Sequence, residues 1–473
     1  MKYFVCTLVA VMLSGKLLAQ QTVNNPGAQA LPDSVISKLK TGVAGFMERY
    51  HSPSMVVAIV HSGNIVFTEA LGFANLEKRI PAGIDYPYPV LSVSKLFTAT
   101  MLMQLKERGQ LRLEDDVAKY LPEFKGGFND KGRSGVSLLQ LATHTSGLPR
   151  NSQADLVFAK QVDEWIITRK PMSALTPATK DALLQSLPAI RAQYEPYKFL
   201  SYGDRLYSNL GYCMLGIAGE RAAKKDYRLF INQHIFQPLH MAASGFDQDE
   251  KKPVLAIGYF YDDSAKTFIP TPPFHSNGAL YAGGMYSTAR DLAKFISFQF
   301  DTTAEAGKVL SAANRAMMAA FRIGWKPDFP FVLHEGAMLG YRCIVVCNPD
   351  LKLGWVILTN TSEFEFSRIN RYFAELLTPV FTPGAQPGIE KFAGEYQLEG
   401  TSEKFTITLK DGQLYSGYLA GIAPAVALTR YGPLRFRAAG RGAYTISYEF
   451  VSDPAGVVRS LTLGQLKWIR IGE

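Results

Sequence analysis

The segment LSVSKLFTATMLMQLKERG, residues 91–109, limits the fold more than any other stretch. Leu96, Phe97, Ala99, Met101, Leu102 and Leu105 recur as they do in an inward-facing helix, and Gly109 marks its end. The pattern predicts a helix starting near Ser92, which sets Lys95 in the first turn. The helix macrodipole disfavours a cation there by about 0.3–1 kcal/mol, and a capping box asks for Glu or Gln. A lysine so placed needs a reason.

The rest of the chain supplies an α+β frame for this helix. DSVISKLKTGVAGFMERY reads as an amphipathic helix, and SMVVAIV, the turn HSGN and IVFTEALGFAN read as a hairpin. Residues from Ser92 to about Pro330 read as largely helical with long connections. Strand patterns return in FVLHEGAMLG, YRCIVVCNP and KLGWVILTN, followed by the helix FSRINRYFAELL. The expected architecture is an antiparallel sheet joining both ends of one domain (residues 26–380), flanked by the first and last helices. A mostly helical insertion lies between them. Residues 381–388 are a Pro/Gly linker, and 389–473 alternate as a small all-β domain, barrel or sandwich. In FTITLKDGQLY, Phe405, Ile407 and Leu409 are expected on one face before the turn Asp411-Gly412.

Residues 1–19 have the form of a secretory signal: Lys2, an apolar stretch from Tyr3 to Leu13 and small Ala19, with Lys16 an atypical addition. The apolar stretch is shorter than the roughly 20 residues of a membrane-spanning helix, so no integral span is expected. Cys6 lies inside it and offers no lipid-attachment site. The expectation is a periplasmic or secreted protein. Cys213, Cys343 and Cys347 remain, an odd number without a disulfide framework. Cys343 and Cys347 lie about 13 Å apart along one strand, too far to bridge. The net charge of +9 comes from scattered residues without a basic run or recognition motif, so no nucleic-acid partner is expected. HExxH, paired CxxC and a Gly-rich phosphate loop are absent, so neither metal nor cofactor is expected.

Chemistry offers a reason for the lysine. Ser92 and Lys95 lie about 4.5 Å apart along a helix axis, on the same side. Burial lowers a lysine pKa, and a neutral amine can take the proton of a serine hydroxyl and make it a nucleophile. The competing reading is that Ser92 caps its helix while Lys95 reaches out to water. The same spacing recurs at Ser37 and Lys40 in the exposed first helix, so it is weak alone. RLYSNLGYCMLGIAGE places Tyr207 and Asn209 just before another helix, where Ser208 or Asn209 is a candidate cap, Tyr207 a candidate base and Asn209 a candidate substrate contact. LHEGAMLGYR carries Gly336 and Gly340 where a strand edge must admit another backbone, with the Ala337 N–H available to an oxyanion.

These three segments, in this order, resemble the penicillin-recognising serine hydrolases: class C β-lactamases, D-Ala-D-Ala carboxypeptidases, D-aminopeptidases and related esterases. SLLQLATHTSGLP, FINQHIFQPLHM, LAIGYFYDD and YAGGMYSTARDLAKF extend the likeness over roughly residues 30–380. The resemblance implies Ser92 as nucleophile, Lys95 as proton acceptor and Tyr207 as the proton shuttle to the leaving group. It implies an oxyanion hole from the backbone N–H groups of Ser92 and Ala337. Substrate contacts would come from Asn209, His334, Gly336 and, by a looser match, Asn151. The third motif departs from the family's Lys-Thr-Gly: here it is His334-Glu335-Gly336, without its carboxylate-binding cation. The expected function is therefore hydrolysis of esters or small D-amino-acid amides or peptides, with D-Ala-D-Ala carboxypeptidase and β-lactamase as alternatives. A catalytically silent protein that binds cell-wall fragments is the alternative of another class. His144 is expected to be structural, in a turn shaped by Gly147 and Pro149, because no Gly-x-Ser-x-Gly elbow accompanies it. Oligomeric state has no signature in the sequence.

Overall fold

The computed structural model describes residues 30–126, 135–193, 207–328, 330–381, 388–418, 425–432, 434–438, 446–463 and 466–472. The expected signal segment, and most of the expected linker, lie outside them.

A seven-stranded antiparallel sheet organises the larger domain. Its order is Ile80–Pro81, Asn64–Asn75, Ser54–His61, Leu353–Thr359, Tyr341–Asn348, Phe331–Met338 and Lys326–Asp328. The two ends of the domain meet where Met55 pairs with Thr359 and His61 with Leu353. Ser54–His61 is apolar at nearly every position because both faces of the sheet are covered. Met55, Val57 and Ile59 pack with Leu39 and Val43 of the first helix (Asp33–Arg49) and Ile369, Phe373 and Leu377 of the last (Phe366–Phe381). Val56, Ala58 and Val60 face the opposite layer, where Leu96, Phe97, Leu102 and Phe295 are buried. Each such side chain contributes roughly 1.5–3 kcal/mol of burial. One polar atom in this core is Nε1 of the fully buried Trp355, which donates to Oδ1 of Asn370 at 3.0 Å.

The helix Ser94–Glu107 occupies the centre of that second layer: Leu96, Phe97, Ala99, Met103 and Leu105 are wholly buried. It packs against Asn209–Ala223, where a side chain at Gly216 would overlap the ring of Tyr281. Both helices belong to the mostly helical insertion between Asn64–Asn75 and Phe331–Met338. All three remaining cysteines are free and buried, and burial pushes the Cys213 thiol up to about 12.

The C-terminal region forms a closed eight-stranded barrel, in which Gly394–Leu398 pairs with the last strand, Leu466–Ile471. Aromatic side chains fill it, among them Phe392, Tyr396, Phe436 and Tyr448. The alternation expected at 405–409 holds for buried Phe405 and Ile407, but Leu409 is 39% exposed. Leu409 stands at the barrel rim, two residues before the hairpin turn, where Asp411 and Gly412 both have positive φ. Arg435 of the barrel pairs with Asp350 of the sheet domain, an exposed contact.

Candidate active site

The turn that carries Ser92 differs in one detail from the expected helix start. Leu91–Val93 form a single 3₁₀ turn, and the α-helix begins at Ser94. Ser94 takes up the turn's polar groups: its Oγ donates to the Leu91 carbonyl at 2.5 Å and accepts from the Met285 N–H at 3.2 Å. Ser92 is therefore relieved of capping, contrary to the structural alternative for that residue. Leu91 has φ +49°, a left-handed conformation that costs a leucine about 1–2 kcal/mol and marks the turn as held by its surroundings.

Lys95 does not reach water; its exposure is 0%. Its Nζ donates to Ser92 Oγ at 3.0 Å and to the Ala282 carbonyl at 2.7 Å. Burial drives its pKa well below the ordinary lysine range. The Cys213 thiol opposes this, while Arg150 and Lys326 add to the lowering. A neutral amine beside a serine hydroxyl is the arrangement needed to accept that hydroxyl's proton.

Tyr207 stands among three basic side chains. Its ring centroid lies 4.9 Å from Lys95 Nζ, 5.0 Å from the Arg150 guanidinium carbon and 5.3 Å from Lys326 Nζ. His144 stacks against the same ring at 4.4 Å. Its Nδ1 accepts the Ser208 N–H at 3.1 Å, which fixes the backbone immediately after Tyr207. Burial, then Lys95, Lys326 and Arg150, push the His144 pKa well down, in keeping with an unprotonated acceptor nitrogen. Ser208 is the cap of the following helix: its Oγ accepts from the Gly211 N–H at 2.9 Å and donates to the Pro149 carbonyl at 2.7 Å. With the Asn209 N–H donating to the Arg150 carbonyl at 2.8 Å, the YSN segment is tied by three hydrogen bonds to the THTSGLPR turn.

The strand Phe331–Met338 forms another wall. Lys326–Asp328 pairs only with Phe331–Leu333, so beyond Leu333 no strand occupies that edge among the described residues. Gly336 sits where a Cβ would overlap the Val90 carbonyl oxygen and the Cys343 sulfur. That close approach brings the Leu91–Val93 turn onto the strand and sets Ser92 near exposed Ala337. His334 is 1% exposed. Its Nδ1 lies 3.0 Å from the Glu335 carbonyl, which only accepts, so Nδ1 carries the proton and buried Nε2 is left without a partner. Burial first, then Lys95 and Lys326, hold its pKa well down, so His334 is neutral. Glu335 forms an ion pair with Lys326 at 3.7 Å.

A cleft opens from Ser92 and Ala337, with Asn151 and Asn209 on its wall. Asn209 Nδ2 donates to Asn151 Oδ1 at 2.9 Å, so the two amides named from the sequence form a single unit. Ser92, Lys95, Tyr207, Asn209, Asn151 and Ala337 are brought to one site; Gly336 packs behind it and His334 is enclosed. Sequence reasoning missed Arg150, Lys326 and the positioning contact of His144. Lys326 carries no motif and reaches the site through its register opposite Leu333. Among the described residues, no group of three His, Cys, Asp or Glu side chains could hold a metal ion, and no helix is long and apolar enough to cross a membrane.

Fold and site together define a penicillin-binding-protein-like architecture with a Ser-x-x-Lys turn against an open strand edge. The family model described as Beta-lactamase matches residues 39–378, and the chain belongs to that family. It is 25% identical over 328 residues to Protein flp of Staphylococcus aureus (strain MRSA252), covering 67% of this chain and 61% of that protein. It thus spans about three fifths of that relative's length. Among solved structures, the octameric penicillin-binding protein homologue from Pyrococcus abyssi matches with a TM-score of 0.62 at 22% identity, covering 92% of this chain and 100% of that one. A β-lactamase/D-alanine carboxypeptidase from Pseudomonas syringae matches with a TM-score of 0.56 at 18% identity, covering 73% of this chain and 98% of that one. Both show the shared fold.

Proposed function

We propose that this chain is an exported serine hydrolase that works through an acyl-enzyme on Ser92, with esters or small D-amino-acid amides or peptides as substrates. The observation that carries the reading is the fully buried Lys95 amine 3.0 Å from Ser92 Oγ. In the proposed cycle, Ser92 Oγ attacks the substrate carbonyl carbon as its proton passes to Lys95. The oxyanion is received by the backbone N–H groups of Ser92 and Ala337. Collapse breaks the bond to the leaving group, which takes its proton through Tyr207. Water then attacks the acyl carbon, and the released Ser92 regains its proton. Export rests on the composition of residues 1–19.

A second reading, D-Ala-D-Ala carboxypeptidase, gains from Lys326 and Arg150. They supply beside Tyr207 the positive charge that His334 lacks. Glu335 offsets part of it through the ion pair with Lys326. β-Lactamase activity is the further alternative. A silent binding protein would have no need of a costly buried lysine beside Ser92. The test is turnover of a p-nitrophenyl ester, an acyl-D-Ala-D-Ala peptide and a chromogenic cephalosporin by wild type and S92A. Ester or D-peptide turnover lost in S92A supports the proposal. Cephalosporin turnover as fast as ester turnover would replace it with a β-lactamase.

A further inference from the structure

The wall of the cleft changes character across Ser92. Tyr207, Arg150, Lys326 and His334 are absent from the lining; apolar groups from the insertion and the nucleophile turn dominate it, chiefly Phe158, Leu183, Phe274, Leu91 and Met338. Asp155 is the one carboxylate there among the described residues, and it is engaged: Oδ2 accepts from Ser152 Oγ at 3.1 Å, and Oδ1 from the Ala178 N–H at 3.1 Å. Cys213 contributes a protonated thiol, which behaves as a small apolar group. In the proposed cycle the leaving group departs toward Tyr207, which does not line the cleft, so the cleft receives the acyl group. Gly283 lines this cleft, and a Cβ there would approach nothing closer than the Leu91 backbone at 3.9 Å. A larger side chain at 283 would grow into the open space.

We infer that this cleft is an acyl-specificity pocket that selects an uncharged, apolar acyl group of several carbons, with Gly283 keeping its depth open. The inference rests on the proposed acyl-enzyme at Ser92 and adds the class of acyl group. Each methylene that enters should raise kcat/KM about fourfold, the ratio that corresponds to burying one CH₂. The Asp155 charge, together with apolar walls, should reject an acyl chain that ends in a carboxylate.

The test is kcat/KM for p-nitrophenyl esters from acetyl to octanoyl, together with the suberyl monoester, for wild type, Gly283→Leu and S92A. The expected result is a rise of at least tenfold from acetyl to the optimum, with the suberyl ester at least tenfold below octanoyl. Gly283→Leu should lower the octanoyl-to-acetyl ratio at least tenfold. A flat or falling series in wild type, or an unchanged ratio in Gly283→Leu with folding verified by circular dichroism, would overturn the pocket assignment while S92-dependent turnover stands. Turnover of neither an ester of this series nor an acyl-D-Ala-D-Ala peptide would instead overturn the proposed function itself, and turnover of the peptide without any ester would overturn the pocket assignment alone.

Discussion

Replacing Lys95 with methionine should stabilise the protein as it removes the proton acceptor. An unfolded lysine is protonated at pH 7, whereas burial, with no exposure, pushes the folded Lys95 toward the neutral amine. Stripping that proton costs folding up to about 5 kcal/mol at pH 7. Its two hydrogen bonds return about 1 kcal/mol each, and methionine leaves the Ala282 carbonyl without this donor. Methionine fills similar volume, so K95M should be more stable by roughly 1–3 kcal/mol at pH 7. The sign with pH follows from linkage. Because the unfolded lysine binds the extra proton, wild-type stability rises with pH toward the unfolded pKa, and K95M lacks that rise. The gap should close by about 1.4 kcal/mol per pH unit between pH 7 and 9. Urea unfolding at several pH values, followed by tryptophan fluorescence, reads mainly the larger domain, which holds Trp165, Trp325 and Trp355 against Trp468 in the barrel. A K95M protein less stable than wild type at pH 7, with a gap independent of pH, would refute the neutral-amine argument.

Other perturbations probe the parts around it. Gly336→Ala drives a Cβ into the Val90 carbonyl, so thermal denaturation should show a loss of about 1–3 kcal/mol, and displacement of the Leu91–Val93 turn should cut ester turnover by more than tenfold. His144→Phe keeps the stack on Tyr207 but removes the acceptor of the Ser208 N–H; the expected cost is about 1–3 kcal/mol, with kcat falling more than KM rises. Activity should fall in acid as Lys95 gains its proton; K326M removes one of the cations that lower the Lys95 pKa, so the acid limb of kcat/KM for a neutral ester should move to higher pH. In the same variant, KM for an acyl-D-Ala-D-Ala substrate should rise more than KM for the ester, if the second reading holds.

Much of the fold was legible because its signals are local. The apolar run of Ser54–His61, the first and last helices and the Asp411-Gly412 turn can each be read within ten to twenty residues. The helix lies near Ser92 as expected, but the 3₁₀ turn at Leu91–Val93 was not legible, because the Ser94 hydroxyl that ties it down also takes the Met285 N–H, contributed from nearly 200 residues away. Leu409 follows the barrel's alternation but falls at its rim, which the pattern alone does not mark. Ser92 and Lys95 stand out by their spacing of one helical turn, and Tyr207 and Asn209 through the resemblance of the YSN segment to a family motif. Lys326, Arg150 and His144 reach Tyr207 through strand register and a positive-φ turn at His144. Charge supplied across a strand pair leaves no local motif.

The central claim is an activated nucleophile at Ser92, and intact mass after exposure to a fluorophosphonate tests it most directly. The account expects one adduct on wild type, mapping to the peptide that contains Ser92 and absent from S92A. A folded wild type that takes up no adduct, or an S92A variant that labels equally, would contradict it.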